Sequence, residues 1–145
     1  MLAQTGVCWA ILFEGVNDIG TAPADEGNQT MVMNELIDAY TQMVTRMHAH
    51  RIKVYGGTIT PFGNNSYDDP AGLRAETRQS LNGWIRTSGV FDGVIDFDAA
   101  VRDPEDPTRL RSEFNVGFQS GDGLHPNPLG YQAMADSIPL ELFQW

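Results

Sequence analysis

The chain has 145 residues, enough for one ordinary domain and too few for two sizeable ones. Hydrophobic residues make up 41% of it, so a core can form, while a formal net charge of −10 makes nucleic acid and anionic membrane surfaces poor partners. A lone cysteine, Cys8, excludes an intramolecular disulfide and a multi-cysteine metal site.

The chain opens on "MLAQTG", which lacks the basic region of a signal peptide. Residues 7–13, "VCWAILF", form an apolar run that predicts a buried parallel strand, with Cys8 as a small buried hydrophobe. "GVNDIGTAP" follows with the chemistry of a loop. Residues 28–50 predict a helix, because Met31, Met33, Leu36, Ile37, Tyr40, Met43, Val44 and Met47 recur near helical spacing. A second strand is predicted over 52–59, then the polar loop "TPFGNNSYDDPAG". A helix over 71–88 carries an apolar stripe of Leu73, Leu81, Trp84 and Ile85. "DGVIDF" predicts a short strand near 93–97, and the segment after it reads as mostly irregular. A last helix begins near Pro128, with Asn127 as its cap, and runs to about Phe143. No apolar stretch approaches the roughly 20 residues of a membrane span.

Strands alternating with helices imply a parallel sheet with right-handed crossovers. Sites in such sheets lie beyond the carboxyl ends of the strands. The loops after all three strands therefore converge on one rim, and "DGLHPN" before the last helix is placed to fold over it.

Asp122 and His125 are the first candidates on that rim. A carboxylate that accepts from a histidine Nδ1–H fixes the ring's tautomer and stabilises the imidazolium. The same residues also suit an Asp-Gly turn before a capped helix, with an incidental surface histidine. Asn17 stands at a strand's carboxyl end, where its amide can donate to a developing oxyanion; one such donor is worth about 3–4 kcal/mol. The alternative for Asn17 and Asp18 is a plain turn. Glu14 before them should be exposed or paired. His48 and His50 lie two apart on a helix, face different sides and read as surface residues. Asp68 and Asp69 precede Pro70 and shape a helix entry. "RDPEDPTRLR" reads as a solvated loop.

Taken together, "EGVNDIG" after a buried strand and "DGLHPNPLGY" near the C-terminus resemble the SGNH (GDSL-type) hydrolases, which are esterases and lipases. The resemblance covers essentially the whole chain and implies a flavodoxin-like three-layer α/β/α fold. Gly15, Val16, Asn17 and Asp18 match the family's Gly-x-Asn-Asp motif. Asp122, Gly123, Leu124 and His125 match its Asp-x-x-His motif. By the resemblance, His125 is the general base, Asp122 orients it and Asn17 is an oxyanion-hole donor. Phe62, Asn64 and Tyr67 on the rim become candidate substrate contacts. No metal or cofactor is implied.

The family's Gly-Asp-Ser motif, which carries the nucleophile on the first strand, has no counterpart here. None of Ser66, Ser80, Ser88, Ser112, Ser120 and Ser137 follows Gly-Asp. The chain thus resembles the C-terminal two thirds of such a hydrolase, with the strand that would pair with 7–13 missing. A separate N-terminal fragment or a homodimer is expected to cover that strand's open edge. Two functions follow as expectations. One is a carboxylic ester hydrolase, acting on a small ester or an acetylated carbohydrate, whose serine comes from another segment; direct activation of water by His125 is a slower variant. The other is a truncated, non-catalytic domain serving as a binding module or remnant. Export is suggested by the resemblance alone.

Overall fold

In the computed structural model, which describes residues 3–115 and 121–144, three parallel strands lie side by side in chain order. β1 (Trp9–Leu12) pairs with β2 (Lys53–Gly57), and β2 pairs with β3 (Gly93–Ile95). Ala10 sits opposite Val54, and Gly56 opposite Val94. The helices are α1 (Val16–Thr21), α2 (Glu26–Ala49), α3 (Leu73–Thr87), α4 (Phe97–Val101) and α5 (Pro128–Asp136). Short 3-10 turns occupy Ser112–Phe114 and Leu140–Phe143.

Alternation along the strands divides the core in two. Ala10, Leu12 and Val54 join Leu36, Tyr40 and Val44 of α2 and Leu81 and Ile85 of α3. Tyr55 and Ile95 join Phe97, Val101, Leu110 and Met134, with Trp9 packed against them. Each fully buried aliphatic side chain in these clusters stabilises the fold by about 1.5–3 kcal/mol. Helical elements therefore cover both faces of the sheet, which is the expected three-layer α/β/α arrangement.

The strands are shorter than their apolar runs, because only residues with a partner across the ladder count. The run at 7–13 narrows to Trp9–Leu12, and 93–97 narrows to Gly93–Ile95. Among the described residues β1 is an edge strand, so its expected burial on both faces fails at the outer side: Ile11 is 39% and Phe13 38% exposed. Cys8, expected to be buried, is half-buried just before the strand. α2 starts at Glu26 because the Asp25 carboxylate accepts from Asn28 N at 3.0 Å. Its buried face is Val32, Leu36, Tyr40, Val44 and Met47, whereas Met31 stands 51% exposed.

Three expectations about loops are corrected. "GVNDIGTAP" contains α1, because Gly15 takes φ 102° and turns the chain from strand directly into helix. The segment after β3 contains α4, whose cap Asp96 accepts from Ala99 N at 3.1 Å. "RDPEDPTRLR" is anchored, with Leu110 buried and an antiparallel bridge from Arg102 to Leu110. The last helix stops at Asp136, since Pro139 cannot extend it. Among the described residues no helix is long and apolar enough to cross a membrane.

Candidate active site

The segment before α5 forms a tight turn around the Asp122 carboxylate. Oδ1 accepts from His125 N at 2.8 Å and from Leu124 N at 2.9 Å. Oδ2 lies 2.6 Å from His125 Nδ1. An ionised carboxylate only accepts, so Nδ1 carries the proton and Nε2 is the basic ring nitrogen. The hydrogen bond from the His125 ring, followed by those from the His125 and Leu124 amides, holds the Asp122 carboxyl down at about 2. Both side chains of the pair are open to solvent, 46% for Asp122 and 65% for His125. Gly123 makes the turn possible. It takes φ 74°, and a Cβ there would sit 2.8 Å from the Gly63 carbonyl oxygen. Asn127 closes the segment: its Oδ1 accepts from Gly130 N at 3.0 Å, and its amide donates to the carbonyls of Glu113 and Asn115.

Asn17 occupies the second residue of α1, directly beyond the carboxyl end of β1. Its Oδ1 accepts from the Tyr67 hydroxyl at 2.9 Å, so Nδ2 is the group left to donate. Asn17 and His125 line one small cavity of about 140 Å³. Phe13, Val16, Leu124, Pro126 and Met134 give it apolar walls, and Thr60 and Tyr131 complete it. Two larger clefts lie along α2, one against α3 and one beside α1, without a histidine, and a third hollow of about 240 Å³ holds His48 with Arg51, Lys53 and Asp92 but no asparagine or glutamine. The small cavity thus brings together a basic ring nitrogen, an amide donor and an apolar lining.

The floor beneath the rim is densely hydrogen-bonded. Beyond β2, Ile59 exchanges two hydrogen bonds with the Asn82 side chain, at 2.7 and 2.8 Å, much as a neighbouring strand would. Arg78 donates to the Ile59 carbonyl at 3.1 Å and to Asp98 at 2.6 Å. Asp98 also accepts from Arg86 and Arg102, each at 2.8 Å. Burial lowers the Arg78 pKa, and the Asp98 carboxylate opposes that shift. Buried charge of this kind is tolerated because every carboxylate oxygen has a cationic partner.

The other sequence candidates divide. Phe62 is 1% exposed; it packs edge-to-face on Tyr67 and beneath the Arg78 guanidinium. That burial does not suit the expected contact with substrate. Asn64 is exposed at φ 70°, with its backbone N–H donating to Asp68 Oδ2, and does not line the cavity. Tyr67 also stands outside the lining and reaches the site through Asn17. Glu14 is exposed, and its carbonyl accepts from the Tyr40 hydroxyl at 2.5 Å. Asp69 shapes the entry to α3, accepting from the amides of Ala71, Leu73 and Arg74. His48 and His50 are on the surface, as expected, but His48 pairs with Asp92 at 2.8 Å. Among the described residues no serine is hydrogen-bonded to His125; Ser120 lies outside them. Asn65 was absent from the sequence candidates. Its amide donates to the Asp122 carbonyl at 2.6 Å, a contact across 57 residues with no signature in local spacing.

Comparison with known proteins bears on the family and the fold. The comparison with curated proteins returns no match. Among solved structures, the chain is similar to an inferred acylhydrolase of Bacteroides fragilis, with TM-score 0.60 and 20% identity over 89% of this chain and 58% of that one. It is also similar to a GDSL-like lipase of Bacteroides thetaiotaomicron, with TM-score 0.59 and 19% identity over 87% of this chain and 57% of that one. At that identity the likeness concerns the fold, and the chain spans less than two thirds of either relative's length. The model of the GDSL-like Lipase/Acylhydrolase family matches residues 2–133, a span holding β1, the Asn17 turn, the buried rim and the Asp122–His125 turn. The chain belongs to that family.

Proposed function

We propose that this chain forms the acid–base and oxyanion half of a serine ester hydrolase. The observation that carries the reading is the shared cavity: Asn17 and His125 line the same pocket, and Asp122 holds the ring from behind. In the proposed reaction a serine Oγ attacks the ester carbonyl while His125 Nε2 takes its proton. Asn17 Nδ2 donates to the oxyanion of the tetrahedral intermediate. The imidazolium, stabilised by Asp122, returns the proton to the leaving alcohol. Water then attacks the acyl-serine with His125 again as base, releasing the carboxylic acid.

The serine comes from a Gly-Asp-Ser segment outside this sequence. Such a segment, as a strand, fits beside β1, which among the described residues pairs with β2 alone and exposes the Ile11 and Phe13 side chains. A cavity of about 140 Å³ suits a short acyl group, as in a small ester or an acetylated carbohydrate. The test is turnover of p-nitrophenyl acetate by the purified chain with any co-purifying fragment. Activity no greater than that of a His125→Ala control defeats the reading. A second reading, a non-catalytic binding domain, is favoured by the missing bond between His125 and any described serine. Gel filtration and intact mass separate the two. A co-purifying Gly-Asp-Ser peptide supports the enzyme; a lone 16.0 kDa chain or its homodimer supports the module.

A further inference from the structure

The two halves of the site sit on segments far apart in sequence, and a single loop touches both. Asn65, on the loop after β2, accepts through Oδ1 from Tyr67 N at 2.9 Å. Its Nδ2 donates to the Asp122 carbonyl at 2.6 Å. The Tyr67 hydroxyl then donates to Asn17 Oδ1 at 2.9 Å. Packing restricts the parts as well. The Tyr67 ring lies so close to α1 that a Cβ on Gly20 would fall 2.2 Å from it, and Phe62 backs the ring edge-on. Gly123 presses against the backbone of Gly63, Asn64 and Asn65. Arg74 ties the loop to α1, donating to the Tyr67 carbonyl at 3.4 Å and the Ala22 carbonyl at 2.6 Å.

We infer that Asn65 and Tyr67 are positioning residues that lock the oxyanion amide and the acid–base turn into one fixed relation. The inference rests on the hydrolase reading for its purpose, though the lock itself is a statement about geometry. A side-chain amide rotates about its last bond, and occupation of Asn17 Oδ1 by the tyrosine hydroxyl commits Nδ2 to the cavity. An oxyanion donor acts well only when it is already aimed before charge develops. Rim loops are the mobile parts of such folds, so a hydrogen-bonded link between two of them removes relative motion where it costs rate. The tyrosine and the asparagine thus take the place of the substrate contacts that exposure on the rim would suggest.

Nuclear magnetic resonance of the full chain, labelled with nitrogen-15, tests the lock without any turnover. Two substitutions separate its arms. Tyr67→Phe keeps the ring on Gly20 and removes only the hydroxyl; it should shift the Asn17 side-chain amide signal and leave the His125 Nδ1–H signal in place. Asn65→Asp keeps an acceptor for Tyr67 N and removes the donor to Asp122; it should shift or broaden the His125 Nδ1–H signal. Unchanged backbone signals elsewhere certify the fold. If Tyr67→Phe leaves the Asn17 amide unmoved, or Asn65→Asp leaves the His125 proton unmoved, the inference is overturned. In the serine-bearing enzyme, Tyr67→Phe should lower kcat about ten-fold at unchanged KM, less than the roughly 100-fold expected for loss of the donor itself. A fall in KM-linked binding with kcat intact would overturn positioning in favour of substrate contact. Absence of ester turnover in the unsubstituted enzyme counts against the hydrolase reading alone, because the spectra report the lock separately.

Discussion

Among the described residues the molecule holds two histidine–aspartate pairs, at opposite ends of its sheet and in different surroundings. At the carboxyl ends of the strands, His125 binds Asp122 through Nδ1 at 2.6 Å. At the amino ends, His48 binds Asp92 through Nε2 at 2.8 Å. Both pairs are partly exposed, and neither distance singles one out. The surroundings do. Asp122 is wrapped by amides of its own turn, and its histidine shares a cavity with the Asn17 amide. Asp92 spends its second bond on the buried Val54 N at 2.7 Å, pinning the start of β2. His48 stands in an open hollow with Arg51 and Lys53 and no amide donor from another side chain. A histidine–carboxylate pair is thus a structural clip until a donor, a cavity and a nucleophile meet it.

The strongest way to break this contrast is to remove each imidazole in turn. In the serine-bearing enzyme, His125→Ala should lower ester turnover by about 10³-fold or more, the scale of a lost general base. His48→Ala should leave turnover within about two-fold, and equal losses would abolish the distinction. Next in size, Asn17→Ala should cost about 10²-fold in kcat with KM little changed, measured by steady-state kinetics on the same ester. The amino-end pair should instead show itself in stability. Asp92→Ala strands the Val54 amide and should cost about 2 kcal/mol in urea unfolding, with ester turnover unaffected.

The smallest effect sharpens the comparison by pH. Asp122 ionises at about 2 in the folded chain, against an ordinary 3.8. A depressed carboxyl stabilises the fold above its unfolded value and loses that contribution as pH falls through the folded one. Wild-type chain should therefore exceed Asp122→Asn in stability above about pH 4, with the gap closing towards about pH 2. Because the carboxylate is nearly half exposed, solvent screens it and the gap should stay below about 1 kcal/mol. Unfolding curves across that range check both its sign and its size.

Much of the frame was legible because it depends on local pattern. The apolar runs at 7–13 and 52–59 had to be strands, and the periodic stretch from Met31 to Met47 had to be a helix, whatever they packed against. Boundaries were less legible. β1 loses its ends because a ladder needs a partner residue, and β3 loses Asp96 because its carboxylate caps α4 instead. α1 was hidden since Gly15, Asn17 and Asp18 carry turn chemistry; only the left-handed Gly15 converts that turn into a helix start. The candidate site was half legible. Asp122 and His125 lie three apart, so their contact follows from one turn, whereas Phe62 looked like a rim residue until packing buried it.

The sequence alone determined the β-α-β order, the acidic balance and the two short motifs whose residues are neighbours along the chain. These are short-range properties, set by side-chain period, turn chemistry and spacing. The tertiary structure alone decided that Asn17 and His125 share a cavity, that the Tyr67 hydroxyl donates to Asn17 across 50 residues, and that Asn65 reaches Asp122 across 57. It also decided that one His–Asp pair borders that cavity while the other pins a strand. Such contacts depend on how loops from separate strands meet, and no local spacing encodes where a folded rim will close.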